Sequence, residues 1–489
     1  MSAPTTTRRA AVIGAGPAGF YATDQLLGAG FEVDLLDALP TPFGLVRAGV
    51  APDHPKIKSV TRVYEKTAAK PGFRFFGGVR LGSDLTRGEL LERYHAVLYA
   101  VGTAEDNRLG IPGEDRPGSY PATRFVAWYN GHPDAVDEEF DLRSKRAVVV
   151  GNGNVAIDIA RMLVLEPGEL ALTDAADHAL AELRAAKIEE VVLLGRRGPA
   201  QAAFTNPELR ELGELTRSEV VVDPGELELD EPSARWLEQE GDATARRNVE
   251  VLRDYAQREP QGKSHRLILK FFRSPLEILG ECEDGPVTGL RVVRNRLEPD
   301  ANGRLRAVPT DEIEEIECGL VLRSIGYRGE PVDDVPFDHA RGLIRNVGGR
   351  VCDEHVRSHR GEYVVGWIKR GPTGVIGTNK KDAADTVAKV LEDADADALN
   401  EPANPDADAT AAWIAERIPT AVTWEGWLAI DEQERRAGEP HGRPRVKLVK
   451  HSELLDAARA AQRRAEPTHL ETRNRRLVTA MNPSNDSVS

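Results

Sequence analysis

Two glycine runs place bare backbone where a phosphate chain can be bound. Gly14-Ala-Gly16-Pro-Ala-Gly19 follows the apolar residues 10–13, and Gly151-Asn-Gly153-Asn-Val-Ala156 follows residues 147–150. Each reads as a strand, a tight turn and a helix start. That arrangement aims unpaired N–H groups at a pyrophosphate. One such turn holds one dinucleotide. Two in one chain suit the passage of electrons between a flavin and a nicotinamide.

The residues that follow each turn separate the two sites. After the first, residues 19–28 read as a helix and 32–36 as a strand ending at Asp37, 18 positions beyond Gly19. A carboxylate there suits a ribose diol. The second run ends in Ala156 in place of a third glycine, a tolerated variation. Its next strand, 190–194, ends in Gly195-Arg196-Arg197. Two guanidiniums and no carboxylate suit a 2′-phosphate, so the second site should prefer NADP to NAD.

The elements that must position these turns follow in order. Residues 94–101 read as a buried strand closing the first half. Residues 165–187 read as an insertion with an extra helix, 223–241 as an acidic irregular region, and 245–263 as a basic amphipathic stretch. Strand-like segments follow at 267–272, 287–295 and 319–325. Composition shifts beyond residue 394 to Asp, Ala, Asn and Pro, which reads as a linker. Residues 411–461 carry helical patterns with Trp413, Trp424 and Trp427.

Composition limits the function class. The chain has 489 residues, 40% hydrophobic and 29% charged, enough for two or three globular domains. No apolar run approaches the roughly 20 residues that span a bilayer. Arg8-Arg9 before an apolar stretch resembles a secretory leader, but the stretch runs into the first glycine turn and reads as a strand. A net charge of −15 disfavours nucleic acid as a partner. The three cysteines, Cys282, Cys318 and Cys352, are too few and too scattered for a Cys-x-x-Cys redox pair or a four-thiolate cluster. No metal site is expected. Sparse cysteines fit a reducing cytoplasm.

Five segments resemble the adrenodoxin-reductase-like ferredoxin–NADP+ reductases: GAGPAGFYA (14–22), PFGLVRAGVAPDHP (42–55), GNGNVAIDIAR (151–161), LGRRGPAQAAFTNPELREL (194–212) and VGWIKRGPTGVIGTNK (365–380). The likeness spans about residues 8–460. It implies an α/β fold of two Rossmann-like nucleotide-binding domains, the NADP domain inserted into the FAD domain, with a helical C-terminal extension. The boundaries expected are 1–108 and 326–460 for FAD, 109–325 for NADP, and 461–489 as a flexible tail.

The resemblance also assigns residues. Around FAD it implies Gly14, Gly16, Ala18, Gly19, Asp37, Leu45 and Val79, with Trp367, Gly374, Val375 and Ile376 along the flavin ring. Around NADP(H) it implies Asn152, Gly153, Asn154, Val155, Arg196, Arg197 and Glu208. His54 and Glu211 match positions close to the reacting rings, and Asp158 matches an acid linked to the histidine. Hydride transfer needs no side-chain nucleophile, only two rings at roughly 3–3.5 Å. These three polar residues therefore serve protonation or positioning.

The activity implied is transfer of a hydride between NADPH and FAD and of single electrons between FAD and an iron–sulfur ferredoxin. An acidic ferredoxin is the expected partner, with no stable membrane association. Arg246, Arg247, Arg253, Arg258, Lys263, Lys369, Arg370, Lys380 and Lys381 are candidate docking cations. The alternatives are a flavin-dependent monooxygenase or oxidase and a non-catalytic FAD/NADP-binding regulator.

Overall fold

A computed structural model describes residues 7–374 and 376–465. Its first unit is a mostly parallel sheet. Strand Arg9–Ile13 lies between Glu32–Asp37 and Ala96–Tyr99, parallel to both. Phe73–Gly77 extends one side. Ser358–Val364, from far along the chain, adds parallel to Ala96–Tyr99 on the other, and two short antiparallel strands, Asn346–Val347 and Arg350–Cys352, finish that edge. Ala10, Ala11 and Val12 are wholly buried because both faces of the sheet are covered.

The second unit lies in sequence between Ala96–Tyr99 and Ser358–Val364. Its six parallel strands run in the order Ser119–Pro121, Leu320–Arg323, Arg146–Val150, Glu190–Leu194, His265–Lys270, Ser218–Val222. Alternate residues face opposite sides. Ala147, Val149, Val191 and Leu193 pack against helices, including Asn154–Val164 and Ala243–Ala256. Val148, Val150, Val192 and Leu194 pack against a three-stranded antiparallel sheet, Arg273–Gly280, Val287–Pro299 and Leu305–Glu317.

Both glycine runs follow a strand flanked on each side by a later strand, the chain building first to one side of it and then to the other. That is the topological switch point, where a crevice opens at the strand ends. The two connections between units run side by side, Glu105–Asp106 pairing antiparallel with Tyr327–Arg328. Helices Thr378–Asp395, Trp424–Gly438 and His451–Ala465 cover one face of the first sheet, with Trp427 buried among them.

Two segments differ from their sequence reading. Residues 223–241, read as irregular, hold a short 3-10 turn and the helix Glu231–Gln239, started by Asp230, whose side chain accepts from the Ser233 N–H at 2.8 Å. The strands Arg273–Gly280 and Leu305–Glu317 were not anticipated. Leu305–Glu317 is largely solvent-facing, so charge hides its pattern. Cross-strand pairs such as Arg291–Glu315, at 2.8 Å, supply its partners. The tail boundary expected at 461 falls inside the helix His451–Ala465, and residues from 466 lie outside those described.

Candidate active site

The first glycine turn is shaped by backbone contact. Gly14 has φ 109°, and a Cβ there would lie 2.4 Å from the Ala100 carbonyl oxygen; a Cβ on Gly19 would lie 1.9 Å from that of Gly14. Gly16 is different: nothing lies within 4 Å of its missing Cβ. So the outer glycines close the turn and the middle one leaves room for a ligand. Helix Pro17–Gly28 starts there with no side-chain cap, so its first N–H groups stay available. The segment with Phe43 and Gly44 folds over the turn, Phe43 N–H donating to Ala15 O at 2.8 Å.

Asp37 has a second task that the sequence did not reveal. Its carboxylate accepts from the N–H groups of Ala15 at 2.7 Å and Leu39 at 2.8 Å, bracing the turn. Burial raises its carboxyl to about 6. A carboxylate has about four lone-pair sites, so a diol still has acceptors here. Val79 is buried beside it, its N–H spent on Asp37 O at 2.8 Å, whereas Leu45 is exposed. Ala18 is buried against Gly366, whose missing Cβ would lie 2.7 Å from the Ala18 Cβ. That contact places Trp367 next to the helix that begins at the first turn. The Trp367 indole stacks on Tyr327, centroids 6.0 Å apart, and its Nε1 is buried without a partner. Gly374, at φ 82°, is exposed and Ile376 half-buried. Val375 lies outside the described residues.

The second turn repeats this design. Gly151 has φ 138° and a Cβ there would lie 2.0 Å from the Ser324 carbonyl oxygen, while nothing lies within 4 Å of the missing Cβ of Gly153. Ala156 is fully buried, so the sheet accommodates its methyl. Helix Asn154–Val164 starts without a side-chain cap. Asn152 O accepts from Ala203 N–H at 3.1 Å and Asn154 Oδ1 from Thr205 N–H at 2.8 Å, so both asparagines hold the neighbouring loop. Val155 is half-buried against the second core. Glu208 accepts from the Thr205 hydroxyl. Arg196 is exposed and Arg197 half-buried, and neither pairs with a carboxylate among the described residues. Burial and the adjacent Arg196 lower the Arg197 guanidinium from its usual value. Two uncompensated neighbouring cations fit a phosphate dianion.

His54, Asp158 and Glu211 come together where the units meet. His54 Nε2 lies 2.8 Å from Glu211 Oε2, and His54 Nδ1 lies 3.9 Å from Asp158 Oδ1. The sequence missed the residue between them. Arg161, one turn after Asp158, is 2% exposed. Its Nη1 is 2.7 Å from His54 Nε2 and 2.8 Å from Glu211 Oε2, and its Nη2 binds Asp53. The i, i+3 spacing of Asp158 and Arg161, and the place of Asp53 beside His54, were the available signals. Nε2 carries one hydrogen or one lone pair. It donates to Glu211 or accepts from Arg161, so the proton on this atom selects its partner. Burial pushes Asp158 up to about 7, against the pull of Arg161 and His54.

Two ligand-ready glycine turns at two switch points, a carboxylate by one and a free arginine pair by the other, define a flavin- and NADP(H)-binding oxidoreductase. The pattern of the pyridine nucleotide-disulphide oxidoreductase family matches residues 8–194, and the chain is 51% identical to NADPH-ferredoxin reductase FprA of Mycobacterium leprae (strain TN), covering 91% of this chain and 97% of that protein. The chain belongs to the adrenodoxin-reductase-like ferredoxin–NADP+ reductase family. It is 40% identical to the mitochondrial NADPH:adrenodoxin oxidoreductase of Arabidopsis thaliana over 94% of this chain and 96% of that one. The solved structure of Mycobacterium tuberculosis FprA in complex with NADPH is similar with TM-score 0.86 at 50% identity, over 93% of this chain and all (100%) of that one.

Among the described residues no helix is long and apolar enough to cross a membrane, and the three cysteines are free. Some candidate docking cations are spent inside the fold. Lys369 pairs with Asp382 at 2.9 Å, Arg370 lies 3.7 Å from the same carboxylate, and Lys263 Nζ donates to Leu215 O at 2.7 Å. Arg246, Arg247, Arg253, Arg258, Lys380 and Lys381 are exposed.

Proposed function

We infer that this protein is a ferredoxin–NADP+ reductase that uses FAD to split the electron pair of an NADPH hydride between single-electron acceptors. The observation that carries this reading is the pair of open glycine turns joined across one seam by His54 and Glu211. When bound, FAD supplies what no side chain can, acceptance of a hydride and release of single electrons. The chain's residues bind, orient and manage protons.

The first unit, residues 1–108 and 326–460, is assigned to FAD. Gly14, Gly16, Ala18 and Gly19 form the pyrophosphate turn and Asp37 serves the ribose. Leu45, Val79, Trp367, Gly374 and Ile376 are assigned to the remainder of the flavin nucleotide, and the resemblance adds Val375. The orphaned Nε1 of Trp367 supports this, since a buried donor needs an acceptor. The inserted unit, 109–325, is assigned to NADP(H). Asn152, Gly153, Asn154 and Val155 form its turn, Arg196 and Arg197 clamp the 2′-phosphate, and Glu208 serves the nicotinamide half. At the seam, Asp158 and Arg161 orient His54, whose Nε2 exchanges a proton with Glu211. Glu211, 41% exposed, links that proton to solvent.

An acidic ferredoxin docking on the exposed arginines of helix Ala243–Ala256 completes the proposal, with the protein working in the cytoplasm without stable membrane contact. The test is ferredoxin-dependent reduction of cytochrome c. NADPH should support it far better than NADH. Equal rates with the two, or no need for ferredoxin, contradict the reading.

A further inference from the structure

Between helices Trp424–Gly438 and His451–Ala465 the chain runs as a strap across both nucleotide-binding units. Arg443, Arg445 and Lys447 alternate along it and each side chain has a different anchor. Arg443 donates to Thr173 O at 3.0 Å and pairs with Asp177, both in the second unit. Arg445 pairs with Asp431 at 2.7 Å and with Glu434 at 3.0 Å on helix Trp424–Gly438. Lys447, 1% exposed, bridges the two units with one ammonium. It donates to Arg47 O at 3.1 Å in the first and to Asn130 O at 2.9 Å in the second. Asp174, 3.4 Å away, balances its charge and is shared with Lys58 at 2.6 Å. Gly131, at φ 70°, gives way to the strap: a Cβ there would lie 2.9 Å from Val449 Cγ1.

The anchors of Lys447 are close to both glycine turns. Arg47 belongs to the short helix Leu45–Ala48 after Gly44, whose missing Cβ would lie 3.0 Å from Gly16 Cα. Asn130 ends helix Ala122–Tyr129, which packs on the helix Asn154–Val164 that begins at the second turn. Hydride transfer depends on the relative placement of two rings, where an error of about 1 Å can cost about 100-fold.

We propose that Lys447 is a positioning residue for hydride transfer: bonded to the first unit at Arg47 O and to the second at Asn130 O, it sets the approach of the two glycine turns. This rests on the reading of the protein as an NADPH-dependent reductase.

The test uses the FAD-loaded full chain and Lys447→Met, which keeps length and apolar packing but removes the three donors. Exposed Cys282, in the second unit, and a cysteine introduced by Lys66→Cys, in the first, carry spin labels for a pulsed distance measurement. At saturating NADPH, flavin reduction in a single turnover should slow by about tenfold or more. FAD content and NADPH half-saturation should stay within about twofold, and the inter-label distance distribution should broaden. Unslowed flavin reduction, or slowing with an unchanged distance distribution, overturns the proposal. If Lys447→Met does not fold, Arg443→Gln releases the strap from the second unit alone and should show the same broadening with a smaller rate loss; an unchanged distribution there also overturns it. Failure of wild type to be reduced by NADPH refutes the reductase reading instead, and the distance measurement still judges the strap.

Discussion

His54 and Glu211 meet across the two units, His54 Nε2 lying 2.8 Å from Glu211 Oε2 although 157 residues separate them. With Arg161 Nη1 2.7 Å from the same nitrogen, the pair forms a joint whose hydrogen bonding depends on one proton. Replacing Glu211 by Gln removes the anionic acceptor and leaves Arg161 less compensated. A charge-assisted hydrogen bond is worth about 1.5–3 kcal/mol, so kcat/KM for NADPH should fall by about 10- to 100-fold. Steady-state kinetics of Glu211→Gln, with folding checked by FAD content, give the result. An unchanged kcat/KM would remove Glu211 from the site.

The two glycines of the second turn should behave oppositely. Gly153→Ala meets nothing in the protein, so it should fold with a Tm near wild type and lose NADPH affinity by about tenfold or more. Gly151→Ala puts a Cβ 2.0 Å from the Ser324 carbonyl oxygen at a positive φ, and should destabilise by about 1–3 kcal/mol or more. Thermal melts and NADP+ titrations of both variants separate space kept for a ligand from space the fold itself fills. Equal affinity losses with equal Tm losses would count against the assignment.

Arg196 and Arg197 should discriminate between the two nicotinamide cofactors. Arg197→Ala is expected to raise KM for NADPH by about 10- to 100-fold and to leave that for NADH within about twofold. Parallel NADPH and NADH kinetics check it. A loss shared by both cofactors would place the arginine elsewhere than on a 2′-phosphate.

Asp158 gives stability a pH dependence of known sign. Burial raises its carboxyl from 3.8 to about 7, so between those values the folded protein keeps a proton that the unfolded chain has released. Its contribution to stability is therefore full at low pH and declines as pH rises towards 7. Asp158→Asn, which cannot ionise, should match wild type only below about pH 4, and its advantage in melting temperature should grow from pH 5 to pH 8. Melting curves across that range decide, and a variant less stable at pH 8 than at pH 5 relative to wild type reverses the argument.

Docking by exposed arginines predicts a salt effect confined to the protein acceptor. Raising ionic strength from about 0.05 to 0.5 M shortens the Debye length severalfold and should slow ferredoxin reduction while barely changing reduction of a small neutral quinone. Rates with both acceptors across a salt series test this. Arg253→Glu should weaken the salt dependence, whereas equal sensitivity of both acceptors contradicts docking by charge.

Much of the site was legible because its chemistry is written in consecutive residues. The glycine turns, Asp37 and the Arg196–Arg197 pair stand next to the strands and helices that place them, so local sequence carries both type and position. His54 and Glu211 were legible only through likeness, since nothing local says that a histidine between prolines meets a carboxylate on helix Asn206–Leu212. Arg161 was hidden among apolar helix residues: a buried guanidinium is identified by its partners, Asp53, His54 and Glu211, which the fold alone assembles. The bracing role of Asp37 escaped for the same reason, as it depends on where Ala15 N–H points. The ties of the strap to the two nucleotide-binding units are long-range; Lys447 reaches Asn130 across 317 residues, and no periodicity announces it.

On this reading electrons pass from NADPH through flavin to an iron–sulfur protein. Anaerobic stopped-flow absorbance tests it most directly, mixing the FAD-loaded protein with NADPH and then with an oxidised ferredoxin. The flavin band should bleach with NADPH, slowly or not at all with NADH, and return as the ferredoxin is reduced. Bleaching that persists in the presence of every ferredoxin offered, with rapid return only on admitting oxygen, would rule out that electron path.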